Sequence, residues 1–370
     1  MADIYVRNEI KGMSLRNRLV RSATWEGMCE TDGRPTSRLL EYYRELALGG
    51  VGLIVTGYTF VRPEGKQMPG TMGIHTDDFS SEMKAMTEAV HGAGGSICMQ
   101  LVHVGGQTDA RTAGRRPLAP SEVDVAQFSE LPEELSLDEI KGIVSAFAEG
   151  AARAREYGFD AVELHAAHGY LINQFLSPLT NQRRDAYGGS LEGRSRFLME
   201  VYESVRGAVG PDYPVMVKLN GSDNLEGGLS EEDALAAAIG LGRAGIDAIE
   251  VSGGTPVSGA LAPVRGKIKA GENEAYNMEL ARGIKKAVSC PVISVGGFRS
   301  VEVVEEALGE VDYVALSRPL IREPFLPSRW QSGDRSPATC ISCNKCFIGG
   351  LKEGGIYCYV ERKKERTSGG

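Results

Sequence analysis

SLDEIKGIVSAFAEGAARAREYGFDAVELHAAHGY, residues 136–170, contains the unit that decides the fold. Ser136 precedes an acidic turn, which is the pattern of a helix N-cap, and an amphipathic stretch follows over 136–157. Gly158 ends that stretch, and the apolar run DAVELHA (160–166) is typical of a strand. The segment therefore predicts a helix followed by a strand, with polar residues where the strand ends.

The same alternation runs along most of the chain. Strands are predicted at 18–23, 52–60, 96–103, 160–166, 214–220, 247–253, 291–297 and 312–318. Helices are predicted at 37–48, 78–93, 136–157, 193–209, 230–244, 274–288, 300–309 and 319–330. This count predicts an α/β fold, a (β/α)8 TIM barrel. A doubly wound sheet is the alternative, but its dinucleotide glycine fingerprint is missing after the first strand.

Composition limits the domain organisation and the partners. The chain has 370 residues, of which 42% are hydrophobic, enough for a large core. We assign 1–335 to the barrel and 336–370 to a short cysteine-rich extension. A net charge of -8 argues against nucleic acid and anionic membranes as partners. The sequence contains neither a long apolar run nor an apolar signal core, so we expect a cytoplasmic protein with reduced thiols.

Catalytic and binding residues of a TIM barrel lie at the C-terminal ends of its strands. This rule selects Ala23-Thr24-Trp25, Gly57, Gln100, His103, His165, His168, Lys218, Ser252-Gly253-Gly254, Gly296-Gly297 and Ser317-Arg318. The last two groups follow the seventh and eighth strands, where barrels commonly bind a phosphate. Glycine N–H groups can hold the anion and Arg318 can bind it bidentately. A tight turn at the two glycines is the alternative.

The end of the fourth strand reads His165-Ala-Ala-His168-Gly-Tyr170 and contains two of the five histidines. Two imidazoles at this spacing can converge on one acceptor oxygen, and the Tyr170 phenol can transfer a proton. A metal site is a weaker interpretation, because no third ligand has an obvious spacing and Glu163 is expected on the opposite face of the strand. Histidines that satisfy buried backbone groups are a further alternative.

The stretch HAAHGYLINQFLSPLTNQRRDAYGGSLEGRSRF, residues 165–197, resembles the Old Yellow Enzyme family of FMN-dependent NADH:flavin oxidoreductases. The family pattern is H-x-x-H/N-G-Y-L-x-x-x-F-L-S-P followed by N-x-R-x-D-x-Y-G-G-S. The similarity extends from Asn17 to Arg318. The resemblance implies an ene-reductase in which reduced FMN transfers a hydride to an activated C=C bond, with NAD(P)H as a donor.

The resemblance also implies a role for each selected residue. Those lining the flavin ring would be Ala23, Thr24, Gly57 and Gln100. Lys218 would stabilise the reduced ring near N1 and O2, and the phosphate would be held by Gly297, Ser317 and Arg318, with Gly296 beside them. His165 and His168 would bind the substrate oxygen, and Tyr170 would be the proton donor. Two residues depart from the family: Trp25 replaces a small Thr or Cys, and Gly193 replaces an Asn.

Four of the seven cysteines form the pattern Cys340-x2-Cys343-x2-Cys346-x11-Cys358. This spacing suits either a tetrahedral zinc ion or a [4Fe–4S] cluster. The resemblance favours iron–sulfur, because larger members similar to trimethylamine dehydrogenase and 2,4-dienoyl-CoA reductase carry such a cluster just after the barrel. The residues after Cys358 are too few for a Rossmann domain, so electrons are expected from NAD(P)H or, through the cluster, from an electron-transfer protein.

The leading hypothesis is thus an FMN oxidoreductase with a small-molecule substrate. Three alternatives remain at this point. An amine dehydrogenase would pass electrons outward through the cluster, and a non-catalytic electron-relay subunit would use both cofactors without chemistry of its own. A zinc-stabilised barrel would bind some other phosphate ligand. A homo-oligomer is compatible with the sequence, and no membrane partner is expected.

Overall fold

The computed structural model describes residues 2–368, and side chains to residue 364. Eight parallel strands close into a barrel: β1 (Leu19–Arg21), β2 (Leu53–Val55), β3 (Ile97–Val102), β4 (Ala161–Ala166), β5 (Val215–Asn220), β6 (Ala248–Ser252), β7 (Val292–Val295) and β8 (Tyr313–Leu316). Each strand pairs with the next one, and β8 pairs with β1. The predicted (β/α)8 barrel is confirmed, and the doubly wound alternative, whose sheet is open, is wrong.

Helices connect the strands on the outside of the barrel. They are Ser37–Leu48, Ser80–Gly92, Leu137–Glu156, Leu191–Val209, Glu231–Ala244, Met278–Ala287 and Val301–Ala307. Two further helices, Arg318–Arg322 and Leu326–Gln331, follow β8 where a continuous helix over 319–330 is predicted. The break lies at Glu323, which has φ -131° and ψ 79°, because Pro324 disfavours helical backbone in the residue before it.

Local capping explains where these helices begin. Ser136 forms the expected capping box, in which its hydroxyl accepts from the N–H of Glu139 and the Glu139 side chain accepts from the N–H of Ser136. Ser190 caps the helix Leu191–Val209 by accepting from the N–H of Gly193 at 3.2 Å. A Cβ on Gly193 would lie 2.2 Å from the carbonyl oxygen of Gly188. The close approach of this carbonyl oxygen explains why glycine stands at position 193, where the family usually has an asparagine.

Shorter elements complete the chain. An antiparallel hairpin joins Asn8–Ile10 to Met13–Leu15, and Leu118–Ala119 pairs with Glu133–Glu134. Thr59–Phe60 pairs with β3 beyond the end of β2. The short helices are Ala110–Ala113, Leu171–Leu176, Phe347–Lys352 and Tyr359–Ser368, and the 3-10 turns are Pro63–Gly65, Asp77–Phe79 and Gly259–Leu261. Between residues 2 and 368, none of the helices has the length and apolar character that a membrane crossing needs.

The barrel interior is apolar at its N-terminal end and polar at its C-terminal end. The apolar layer consists of Val20, Leu53, Val55, Cys98, Ala161, Met216, Ala248, Ile293, Tyr313 and Ala315. Ile10 and Leu15 of the N-terminal hairpin belong to the same cluster and are at most 1% exposed. On β3, β4, β5 and β6, the side chains two residues further along the strand are polar: Gln100, Glu163, Lys218 and Glu250. The hairpin thus seals the end of the barrel opposite these polar side chains.

A buried ion pair braces the ends of β1 and β2. The Arg21 guanidinium donates to Glu26 Oε1 at 2.6 Å and to the carbonyl oxygen of Val55 at 2.7 Å. The same Glu26 oxygen accepts from the Tyr43 hydroxyl at 2.9 Å and from the N–H of Gly57 at 3.2 Å. The Gly57 N–H is therefore taken up by this network, which explains why the strand predicted over 52–60 is interrupted after Val55.

Replacing Glu26 by alanine should strongly destabilise the fold, because Arg21 would be left as an uncompensated buried charge. We expect a loss of about 3–5 kcal/mol in the free energy of unfolding, measured by urea denaturation. Glu41→Ala is the matched control: its pair with Arg44 is exposed, and such pairs contribute about 0–1 kcal/mol. Equal losses in the two variants would contradict a bracing role for the buried pair.

Candidate active site

A cavity of about 1150 Å³, including the open space at its mouth, lies over the C-terminal ends of the strands. Twelve of the residues selected from the sequence line it: Ala23, Thr24, Trp25, Gln100, His165, His168, Tyr170, Lys218, Ser252, Gly297, Ser317 and Arg318. They come from β3, β4, β5 and β6 and from the segments that follow β1, β4, β7 and β8. Barrel closure is what brings them together, because they are separated by up to about three hundred positions in the sequence.

Gly57, His103, Gly253, Gly254 and Gly296 were selected from the sequence but do not line the cavity, and two of them, Gly57 and Gly296, lie directly behind lining residues. A Cβ on Gly57 would lie 2.1 Å from Glu26 Oε2 and 2.8 Å from the carbonyl oxygen of Thr24. A Cβ on Gly296 would lie 3.1 Å from the Tyr276 ring. Each glycine allows a lining residue, Thr24 or Tyr276, to approach the strand ends closely.

His165, His168 and Tyr170 form one cluster after β4. The centroid of the His165 ring lies 5.1 Å from that of the His168 ring and 4.8 Å from that of the Tyr170 ring. His168 has a φ of 60°, a rare conformation for a residue other than glycine, and its N–H donates to Asn220 Oδ1 at 3.2 Å. Its Nε2 lies 2.7 Å from Ser252 Oγ. This turn places both imidazoles and the phenol in the same part of the cavity.

Both imidazoles are neutral in this environment. Burial and the nearby Lys218 charge lower the pKa of His168 to about 3. Burial, with His168 and Lys218, places the pKa of His165 well below its ordinary value. His165 Nδ1 accepts from the N–H of Ala167 at 3.3 Å, which assigns its proton to Nε2. Neutral N–H donors of this kind can polarise a carbonyl oxygen without transferring a proton to it.

Tyr170 has two neighbours that the sequence analysis missed. Its hydroxyl donates to Gln67 Oε1 at 2.8 Å, and the Tyr58 hydroxyl lies 3.5 Å from the same oxygen. The Tyr58 and Tyr170 rings are 5.6 Å apart. Burial raises the pKa of Tyr170 above its ordinary value, so the phenol keeps its proton at neutral pH. Tyr58 lies in the predicted strand 52–60 and could have been selected, whereas Gln67 lies in a loop with no motif.

Lys218 and Gln100 form the floor of the cavity. Lys218 is 2% exposed, and its Nζ donates to Ser22 Oγ at 2.9 Å. Gln100 Nε2 donates to Glu163 Oε1 at 2.6 Å. The expectation that Glu163 points away from the site is wrong: residues two apart on a strand share a face, so Glu163 and His165 both face the barrel interior.

Gly297, Ser317 and Arg318 line another side of the cavity. Gly297 has a φ of 77°, and a Cβ there would lie 2.9 Å from the Tyr276 ring, so a side chain would be both strained and obstructed. Ser317 Oγ lies 2.7 Å from Thr24 Oγ1. Arg318 is 7% exposed and donates to the carbonyl oxygen of Arg265 at 2.7 Å and to Asn344 Oδ1. A buried guanidinium and a hydroxyl thus stand beside a glycine turn, as the phosphate hypothesis requires.

The extension forms part of the cavity wall. Phe347 lines the cavity and stacks on Trp25, with ring centroids 6.2 Å apart. Trp25 Nε1 donates to the carbonyl oxygen of Pro69 at 3.2 Å. A Cβ on Gly350 would lie 2.6 Å from the Trp25 ring. The family departure at Trp25 therefore adds a large aromatic wall that the C-terminal extension holds in place.

A second, smaller cavity is surrounded by Cys340, Cys343, Cys346 and Cys358 together with Arg318. Cys340 and Cys346 are buried, and Cys343 is exposed. Among the described side chains, no three His, Cys, Asp or Glu are arranged closely enough to hold a metal ion. The structure thus brings the four predicted thiols around one pocket without demonstrating a metal site.

Two longer proteins are similar to this chain over most of its length. The chain is 38% identical over 355 residues to an NADH oxidase of Thermoanaerobacter brockii, an alignment that covers 94% of the chain and 54% of that protein. A complex of 2-naphthoyl-CoA reductase with 2-naphthoyl-CoA superposes with a TM-score of 0.87 at 28% identity, over 95% of this chain and 56% of that one. The chain therefore spans about half the length of these two relatives.

A shorter relative matches along almost all of its length. The old yellow enzyme homologue of Zymomonas mobilis superposes with a TM-score of 0.79 at 28% identity, over 92% of this chain and 95% of that one. The resemblance to Old Yellow Enzymes that the sequence indicated is confirmed. Residues 8–336 match the sequence profile of the NADH:flavin oxidoreductase / NADH oxidase family, and the chain belongs to that family.

Proposed function

We propose that the chain is an FMN-dependent oxidoreductase that uses NAD(P)H to reduce an activated C=C bond in a small molecule. The observation that carries this proposal is the meeting of a proton-bearing Tyr170, neutral His165 and His168, and buried Lys218 in one cavity. Membership of the family supports flavin and nicotinamide chemistry. An electron relay would need neither the phenol nor the imidazole pair.

The residues of the cavity fit FMN. Gln100 Oε1 and Asn277 Oδ1 are buried in its lining and find no donor among the described residues, so both could accept from a bound ring system. Ala23 and Thr24 would contact the ring. Gly297, Ser317 and Arg318 would hold the phosphate. When bound, FMN would supply a hydride to the substrate, and the positive charge of Lys218 would favour the reduced, anionic form.

The chain's own groups would complete the reduction. The N–H groups of His165 and His168 would bind the substrate oxygen and stabilise the negative charge that develops on it. Tyr170 would deliver its hydroxyl proton to the carbon next to the substrate carbonyl. Trp25 and Phe347 would cover the apolar part of the substrate and exclude water.

Replacing Arg318 by alanine should weaken FMN binding, because a charge-assisted contact to the phosphate is lost. We expect a loss of about 1.5–3 kcal/mol in binding free energy, measured by flavin fluorescence titration of the apoprotein. Arg318→Lys should lie between the wild type and Arg318→Ala, and Arg282→Ala, on an outer helix, should bind as the wild type does. Release of stoichiometric FAD on denaturation, or a colourless protein after reconstitution with FMN, would refute this proposal.

Replacing Tyr170 by phenylalanine tests the proton transfer, since the ring stays and the transferable proton is lost. The oxidative half-reaction with an enone should slow by about 10²–10⁴-fold, while reduction of the flavin by its donor stays nearly unchanged. Stopped-flow measurement of each half-reaction separates the two effects.

The neighbouring Tyr58 provides the matched variant. Tyr58→Phe removes a hydroxyl that lies near the same Gln67 oxygen, so it should change the oxidative rate much less than Tyr170→Phe does. If Tyr58→Phe carried the larger loss, Tyr58 would be the donor. If neither variant slowed the oxidative half-reaction at full FMN occupancy, the amine dehydrogenase and electron-relay alternatives would be favoured.

We further propose that Cys340, Cys343, Cys346 and Cys358 hold a [4Fe–4S] cluster. All four thiols surround one pocket, and their spacing suits such a cluster. A cluster of iron and sulfide is larger than a zinc ion and is held by four Cys thiolates. Such a cluster would also allow a redox protein to exchange electrons with the enzyme.

Metal and sulfide analysis tests the cluster. Protein prepared without oxygen should contain about four irons and four acid-labile sulfides per chain. Cys346→Ser should lose most of this iron, whereas Cys290→Ser, outside the pocket, should retain it. One zinc ion per chain and no sulfide would instead make the extension a structural zinc site.

A further inference from the structure

Two carboxyl groups, of Glu163 on β4 and Glu250 on β6, are sealed beneath the cavity floor. Both side chains are 0% exposed. One oxygen of each is bonded to the floor: Glu163 Oε1 accepts from Gln100 Nε2 at 2.6 Å, and Glu250 Oε1 accepts from Ser22 Oγ at 2.6 Å. Glu250 Oε1 also lies 3.2 Å from Lys218 Nζ. Each carboxyl group therefore supports a residue that lines the cavity.

The remaining oxygen of each carboxyl group has no donor. Oε2 of Glu163 and Oε2 of Glu250 are buried and accept from no donor among the described residues, and the two side chains lie close enough for a protonated carboxyl group to donate to the other. Ionised carboxylates can only accept hydrogen bonds, so a hydrogen bond between the two groups requires that one of them be protonated. The apolar layer around Met216 lies below, so water cannot supply it from that side.

The charge balance also indicates that the two carboxyl groups hold one proton. Among the described residues, the cation in contact with this pair is Lys218. Its Nζ lies next to Glu250 Oε1. Two ionised carboxylates would leave one uncompensated negative charge in a dry layer, which is costly. Burial, together with the charge of Glu250, raises the pKa of Glu163 well above its ordinary value. With one proton on the pair, the layer is neutral.

We propose that Glu163 and Glu250 share one proton, held on Glu163, and that Glu250 is a positioning residue that sets the net charge presented to the cofactor cavity through Lys218. The inference rests on the proposed function in one respect, that the cavity binds FMN. Protonated Glu163 donates to Glu250 Oε2 and keeps Gln100 Nε2 engaged from below, so that Gln100 Oε1 remains available to the cavity. The ionised Glu250 offsets the positive charge of Lys218.

The proton can be observed directly in the FMN-free protein. Infrared difference spectroscopy at neutral pH should show the carbonyl stretch of a protonated carboxyl group in the wild type, shifted in heavy water, and this band should be lost in Glu163→Gln. A wild type and a Glu163→Gln protein with identical spectra in this region would overturn the proposal. This measurement does not depend on flavin binding.

The reduction potential of bound FMN tests the role of Glu250. Glu250→Gln removes a negative charge near Lys218, so the potential should shift to a more positive value in spectroelectrochemical titration. Glu163→Gln is the matched control, because an amide keeps both the acceptor for Gln100 and the donor for Glu250 without changing the charge. Its potential should equal that of the wild type.

Each of the remaining outcomes either supports or overturns the proposal. An equal shift in both variants, or none in Glu250→Gln, would overturn the proposal. Should Glu250→Gln fail to fold, an unchanged potential in Glu163→Gln together with its lost infrared band would support the proposal, and a shifted potential would overturn it. A wild type that binds no FMN would refute the proposed function, while the infrared measurement would still decide on the proton.

Discussion

The dry interior of the barrel is the constraint on which the site depends. Ile10 and Leu15 close one end, and the apolar layer above them leaves no route for water from below. Every polar group at the other end must therefore find its partner inside the protein or in the cavity. Lys218 is held by Ser22 and Glu250, and the Arg21 and Glu26 charges are paired with each other. The need for a partner in a dry interior therefore determines where these charged side chains lie.

The same dryness determines the protonation states that the chemistry needs. His165 and His168 are buried and lie beside the Lys218 cation, so they stay neutral and offer N–H groups rather than charges. Tyr170 keeps its proton because burial disfavours the charged phenolate. In a medium of low dielectric constant, such fixed donors interact more strongly with a developing oxyanion than they would in water. A polar but largely neutral site above a sealed core is well suited to hydride transfer followed by protonation.

The sequence predicts those parts of the site that depend on its hydrophobic periodicity and on where the strands end. The alternation of strands and helices gives the barrel, and the HAAHGY segment gives the imidazole pair and the phenol. Gln67 and Tyr58 approach Tyr170 across a distance of about a hundred positions, and nothing in local spacing encodes that contact. Gly57 is predicted from the sequence to line the flavin ring, yet a side chain there would meet Glu26 and Thr24 behind the cavity wall. Strand alternation places residues two apart on the same face, so Glu163 lies on the interior face of β4 together with His165.

The extension and the barrel share the residues that shape the cavity. Arg318 lines both the main cavity and the cysteine pocket, and Asn344, between two of the cysteines, accepts from its guanidinium. Phe347 directly follows Cys346 and stacks on Trp25. A cluster or ion bound by the four thiols would therefore fix the segment that carries Asn344 and Phe347, and through them one partner of Arg318 and one wall of the cavity. The shape of the substrate site is for this reason a property of the barrel and the extension together.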